Sequence, residues 1–224
     1  DIIIFIITKL FIINNPLLIK LWMSGIIGLI TWLLFMGFGY INNCYVRVKQ
    51  HDISSNKIKG NLIVCLISDI HYGTIQKNNV LINEIDKINE FNPDIVLFAG
   101  DLTEEKTSNK DMKDLFVHLK RIKAKYGLYF VNGNHDKQQK LPKEKRTYTD
   151  EEFNECIKNA NIKCLDDSLL TLDENITIIG RNDYNEKNRL DFSSLVSKTN
   201  KDSYRIVLEH QPEEYEIYAK NGID

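Results

Sequence analysis

The sequence has no excess of charge of either sign: 29 Lys and Arg stand against 31 Asp and Glu, for a formal net charge of −2. A protein whose main partner is a polyanion carries a basic surplus, so nucleic acid is not expected as a partner. Cysteine is scarce. Cys44, Cys65, Cys156 and Cys164 form no CxxC pair, a pattern that argues neither for a disulfide framework nor for a structural zinc site. They read as small apolar residues, with a Cys156 to Cys164 bridge open only in an oxidising compartment. No internal repeat is visible. The most telling absence is local: Leu21 to Ile41, LWMSGIIGLITWLLFMGFGYI, contains no charged residue.

At about 1.5 Å per residue that run makes a helix of roughly 31 Å, close to the ~30 Å hydrocarbon thickness of a bilayer. Lys20 precedes it, Arg47 and Lys49 follow it, and Trp22 and Tyr40 fall near its ends as interfacial aromatics do. A buried core helix is the bland alternative, but so long an uncharged run exceeds what a small domain encloses. A cleaved signal peptide has a shorter apolar core, about 7 to 15 residues, followed by a small-residue cleavage site. Ile2 to Ile13 is a second apolar run, too short to span alone. With Asp1 in place of an initiating Met, it reads as the tail of an earlier span. Basic residues flank both sides of the long run, so the positive-inside rule does not orient it. The expected organisation is a membrane-spanning region over 1–45, a polar linker over 46–60 and a folded domain over 61–224.

Within that last region short apolar runs alternate with helical patterns. Leu62 to Ile67, Ile95 to Ala99 and Leu128 to Val131 read as buried strands. Val80, Ile82, Ile85 and Ile88 repeat near the helical period, as do Met112, Leu115, Phe116, Leu119 and Ile122 within a helix expected over Asp111 to Lys123. Asp150 to Asn159 reads as a helix, Ile176 to Ile179 and Tyr204 to Leu208 as strands, and Glu213 to Lys220 as a final helix. This alternation predicts an α/β fold with right-handed crossovers and a largely parallel sheet between helices.

Polar residues of an unusual kind stand where those strands end. SDIHYG brings Asp69 and His71 after the first, AGDL brings Asp101 after the second, and NGNHD brings Asn134, His135 and Asp136 after the third. LEHQP adds His210 late in the chain. In an open α/β sheet ligands gather beyond the carboxyl ends of the strands. Residues i and i+2 of an extended segment face one side, so Asp69 and His71 can close on a single ion. Gly100 and Gly133 immediately precede Asp101 and Asn134, where a missing Cβ allows a tight turn. Carboxylate, imidazole and amide oxygen without thiolate suit Mn, Fe, Co or Zn in a hydrolytic centre. Each motif alone is more often a plain turn; their joint occurrence in order is the signal. His51 and His118 meet no such pattern. The basic run KQQKLPKEKR over 137–146 reads as a solvated loop that could also draw in an anion.

Together SDIHYG, GDL, GNHD and EHQP resemble the calcineurin-like metallophosphoesterase family, from about Leu62 to the C-terminus. The apolar N-terminus and the GRND and LEHQP surroundings look like its membrane-associated bacterial branch, which includes YkuE-like and UDP-2,3-diacylglucosamine pyrophosphatase-like proteins. The resemblance implies a layered β-sandwich flanked by helices and holding two divalent metal ions. Asp69 and His71 would hold the first, Asp101 would bridge both, and Asn134 and His210 would hold the second. His135 would stay off the metals and face the substrate phosphate, oriented by Glu104 or else by Asp136. The family closes its site with a Gly-His-x-His motif, expected a few residues beyond Gly222. The sequence stops at Asp224, so the chain reads as a piece cut at both ends that lacks two ligands.

The implied activity is hydrolysis of a phosphate ester or a lipid-linked pyrophosphate by a metal-bridging hydroxide. The implied partners are the lipid bilayer and a phosphorylated small-molecule or lipid substrate, with the catalytic domain on the outer face of the cell membrane. A nuclease, and a membrane-tethered non-catalytic module with an incomplete site, are the competing readings.

Overall fold

The computed structural model describes Pro16, Lys20 and residues 24–74, 76, 78–173 and 175–224. The chain divides into two units, residues 1–47 and 48–224. The run Ile2 to Ile13 and the start of the Leu21 to Ile41 run lie outside the described residues.

In the first unit α1 covers Ile26–Cys44 and buries none of its residues. Gly25, at φ 74°, precedes it in the left-handed region that glycine enters without a Cβ penalty. The helix therefore begins later than the uncharged run and continues past Ile41 through Asn42 and Asn43. Among the described residues it is the one helix long and apolar enough to cross a membrane.

The second unit contains two sheets. The first is parallel, in the order β1 (Val64–Ile67), β2 (Ile95–Phe98), β3 (Gly127–Phe130), β4 (Ile162–Cys164). Its crossovers are α2 (Asn78–Glu90), α3 (Asn109–Leu119) and α4 (Asp150–Asn159). The second sheet has the order β5 (Ser168–Leu172), β6 (Ile176–Gly180), β7 (Tyr204–Leu208), antiparallel between β5 and β6 and parallel between β6 and β7. Two short helices complete the unit, α5 (Phe192–Val196) and α6 (Tyr215–Lys220).

The period-2 alternation of strand side chains separates two cores. Val96 and Phe98 of β2, with Leu128 and Phe130 of β3, pack against Leu81, Ile85, Met112, Leu115, Phe116, Phe153 and Ile157 of the crossover helices. Their neighbours Ile95, Leu97, Ala99, Tyr129 and Val131 pack instead on Leu165, Ile176, Ile178 and Leu208. Ile179 turns the opposite way, onto Phe192, Leu195 and Val196. All four β2 residues are buried, and a fully buried apolar side chain contributes roughly 1.5–3 kcal/mol. The layers thus run helices, sheet, sheet, short helices. Strand and helix alternation alone predicted one largely parallel sheet between helices. The structure replaces that with the layered β-sandwich that the resemblance implied, because β4 alone extends the first sheet while β5, β6 and β7 build a sheet of their own.

Candidate metal centre

The carboxyl ends of β1, β2 and β3 continue into loops that stay hydrogen-bonded beyond the strands. Asp69 N–H donates to Gly100 O (3.1 Å), His71 N–H to Asp101 O (3.1 Å) and Tyr72 N–H to Leu102 O (3.0 Å). This ladder keeps the SDIHYG and GDL segments side by side. The backbone there is strained: Asp69, His71 and Asp101 have φ of 57°, 44° and 53°. Left-handed conformation costs a non-glycine residue of order 1–3 kcal/mol and clusters at functional sites. The glycines between them are required by space. A Cβ on Gly133 would stand 2.2 Å from Asp101 Oδ1, and one on Gly100 would stand 2.8 Å from His210 Nδ1.

Asp101 is almost fully buried and stands at the middle of the cluster. Its Oδ2 is 3.3 Å from His210 Nε2 and 3.7 Å from His71 Nε2. Its Oδ1 accepts the His135 N–H at 2.9 Å. Asp69 Oδ1 lies 3.6 Å from His71 Nε2. Donor atoms of Asp69, Asp101 and His210 all fall within 4.8 Å of one another, a separation one cation can span. These three form a candidate Asp/His metal site.

His210 enters from the second sheet, just after β7. Its Nδ1–H donates to Ala99 O at 2.8 Å, which leaves Nε2, facing Asp101, as the nitrogen free to take either a proton or a cation, the arrangement that orients a metal-binding histidine. Its neighbour Glu209 is fixed from behind by Arg189 and by the Tyr218 hydroxyl, 2.5 Å away. Burial lowers the His210 pKa, but the hydrogen bonds to Asp101 and Ala99 and the nearby carboxylate charges override it and raise the pKa to about 9. Asp101 shows the converse: burial pushes its pKa up, and hydrogen bonds from His210 and His135 outweigh that and hold it below the usual range. A buried acid kept ionised beside imidazoles suits a divalent cation.

Asn134 borders this cluster with two amide orientations open to it. With the oxygen inward, Oδ1 lies 3.2 Å from His210 Nε2, as a ligand needs. With the nitrogen inward, it donates to Asp101 Oδ2 at 3.2 Å while the oxygen accepts from Lys140 Nζ at 2.8 Å. All five sequence-predicted ligands, Asp69, His71, Asp101, Asn134 and His210, therefore meet at one rim.

His135 stands beside the cluster, its ring edge-on to His71 with centroids 5.4 Å apart. Neither acid proposed to orient it does so. Glu104 faces His71 Nδ1 at 3.8 Å, and the next residue, Glu105, pairs with His135 Nδ1 at 2.6 Å. Spacing along GDLTEE cannot separate two adjacent acids in a turn. Asp136 is fully buried and faces backbone. Its oxygens accept N–H groups from Asp101 (2.7 Å), Leu102 (3.0 Å), Thr103 (3.1 Å) and Gly133 (2.9 Å). With the Thr103 hydroxyl (3.3 Å) these make five donors on one carboxylate, the clamp that ties the GDL loop to the NGNHD loop, and they leave no lone pair for His135. Lys140, 2.8 Å from His135 Nε2, had no signal beyond the basic run containing it.

Comparison with known proteins agrees with this geometry. The chain spans about half the length of the curated relatives it matches first. An uncharacterized metallophosphoesterase of Campylobacter jejuni is 28% identical over 204 residues, covering 88% of this chain and 52% of its own length. Another from Bacillus subtilis, YkoQ, is 29% identical over 192 residues, covering 80% and 66%. A Danio rerio protein named as a transmembrane protein with a metallophosphoesterase domain is 37% identical over 75 residues, covering 34% and 17%. The family model for calcineurin-like phosphoesterases matches residues 62–223, a stretch containing both sheets and every residue of the rim, and the chain belongs to that family.

Proposed function

We propose that this chain is a membrane-anchored phosphoesterase that uses two divalent cations (Mn, Fe, Zn or Co) to hydrolyse a phosphate ester or a lipid-linked pyrophosphate. The observation that carries the reading is the convergence of Asp69, Asp101 and His210 donor atoms within 4.8 Å, in a family whose chemistry is phosphate ester hydrolysis. Asp69 and His71 would hold one cation, Asn134 and His210 the other, and Asp101 would contribute to both. When bound, such cations lower the pKa of water and neutralise charge at phosphorus. The chain's own residues then divide the remaining work. His135, oriented by Glu105, lies beside the cluster where it can stabilise charge on the phosphoryl group or protonate the leaving oxygen. Asp136 holds the two loops in register. The apolar helix α1 supplies the anchor, and the reading assigns the catalytic unit to the outer face, which protease accessibility in intact cells tests.

The function is tested with the full chain in detergent, assayed with Mn on an aryl phosphate and an aryl phosphodiester. His135→Ala should lower turnover by roughly 10²-fold or more while metal content by plasma emission is unchanged, whereas Asp101→Asn should lose metal and activity together. A wild-type chain that retains metal and cleaves neither ester would sink the proposal.

A further inference from the structure

The basic run after the site reads from the sequence as a solvated loop, yet the fold pins it. Gln138 is fully buried. Its Nε2 donates to Glu105 O (3.0 Å) and Thr107 O (2.9 Å), and its Oε1 accepts the Thr147 N–H (2.7 Å). Lys137 and Gln138 both hold left-handed backbone, φ 58° and 53°, which persists only where the surroundings impose it. Two residues beyond this anchor the exposed side chain of Lys140 turns back over the site. Its Nζ is 2.8 Å from His135 Nε2, and 2.8 Å from the Asn134 oxygen when that amide faces outward.

Neither partner is a carboxylate, and the Asn134 contact is the alternative to that amide's turning its oxygen inward toward a cation, so His135 is the partner that remains in both orientations. With Nδ1 facing Glu105 at 2.6 Å, Nε2 accepts from the Lys140 ammonium, which has donors and no acceptor, until an arriving anion draws that ammonium away. Among the described residues no carboxylate pairs with Lys140. A cation held at the mouth of a phosphate-handling site without an anionic partner is arranged for an anion that arrives.

We propose that Lys140 selects for the charge of the phosphoryl group, binding the third non-bridging oxygen of a terminal phosphate and so favouring monoesters over phosphodiesters. The inference rests on the phosphoesterase reading above. A terminal phosphate has three non-bridging oxygens sharing two negative charges, while a diester has two sharing one. Were two oxygens taken up by the cations that the Asp/His cluster would hold, only the terminal phosphate would have one left for Lys140. The third donor therefore discriminates between the classes.

Calorimetric titration of the manganese-loaded full chain with inorganic phosphate and with dimethyl phosphate tests this in the wild type, Lys140→Met and Lys140→Arg. Lys140→Met should weaken inorganic phosphate on the order of tenfold or more, the worth of one hydrogen bond to a charged group, and change dimethyl phosphate less than about twofold. Lys140→Arg should retain most of the affinity, since a cation remains. Unchanged phosphate binding in Lys140→Met, or equal losses for both anions, overturns the assignment. Hydrolysis of the two aryl esters is followed in parallel. A wild type inactive on both removes the reading beneath the inference, whereas an active enzyme whose phosphate binding ignores Lys140 overturns the inference alone.

Discussion

His210 commits its Nδ1–H to the Ala99 carbonyl, so Nε2 is where either a proton or a cation must bind. With its pKa raised to about 9 in the fold against about 6.5 in an unfolded chain, the sign is determined. In metal-free protein the protonated ring contributes stability that is fully present below pH ~6.5 and is lost as pH rises through about 9. A cation competes for the same nitrogen, so its uptake at pH 7 must expel that proton. Calorimetric titration of manganese at pH 7 in two buffers of unequal ionisation enthalpy should register about one proton released from this ring, declining as pH approaches 9. Uptake independent of buffer at pH 7 would contradict the arrangement. The five residues gathered at the rim were legible in the sequence because each follows a short apolar run and two follow glycines. Glu105 and Lys140 were not, since both reach His135 through loop conformations that no periodicity encodes.

Elements were readable in proportion to their length and burial. IVLF at β2 and YRIVL at β7 announce themselves as apolar runs, and Asp150–Asn159 does so through TYTDEE, where Thr149 accepts from Glu152 N–H and Glu152 returns a bond to Thr149 N–H. The elements that went unread are Ile162–Cys164, Ser168–Leu172 and Phe192–Val196. The first and last are too short to establish a period, and SLLTL is half-buried along an edge strand, so its pattern is blurred. Without β5 the strand pattern alone did not separate a second sheet, and the sandwich was legible only through the family resemblance. The capping box on α4 predicts a measurable penalty: Thr149→Ala removes one side of a reciprocal pair and should cost about 1 kcal/mol, read as a lower midpoint in urea with an unchanged m-value. The helix positions Phe153, whose ring stands 5.3 Å from that of Phe116 and stacks at 6.0 Å on Tyr148. Destabilisation should therefore stay on the helix-facing core and leave cation binding largely intact.

At the scale of the molecule, the two units follow opposite solvent rules. Residues 48–224 bury their large apolar side chains in three clusters, whereas α1 keeps Leu34, Phe35 and Phe38 exposed at 69%, 74% and 69%. A helix of that composition is stable in hydrocarbon and a liability in water. Replacing Leu34 and Phe38 with arginine adds about 2.5–3.5 kcal/mol each to insertion at the centre of a span. The double variant should leave vesicles on alkaline extraction where the wild type stays bound, and release of both alike would rule out α1 as an anchor. The sandwich has a consequence for how the protein comes into being. His210 and the Ala99 carbonyl that steadies it are 111 residues apart, a lag of roughly 6–22 s at the usual pace of ribosomes, ~5–20 residues per second. Until that interval has elapsed, the nascent chain presents Asp69, Asp101 and Asn134 with no imidazole from the far sheet beside them, so the rim is assembled only once the second sheet has been made.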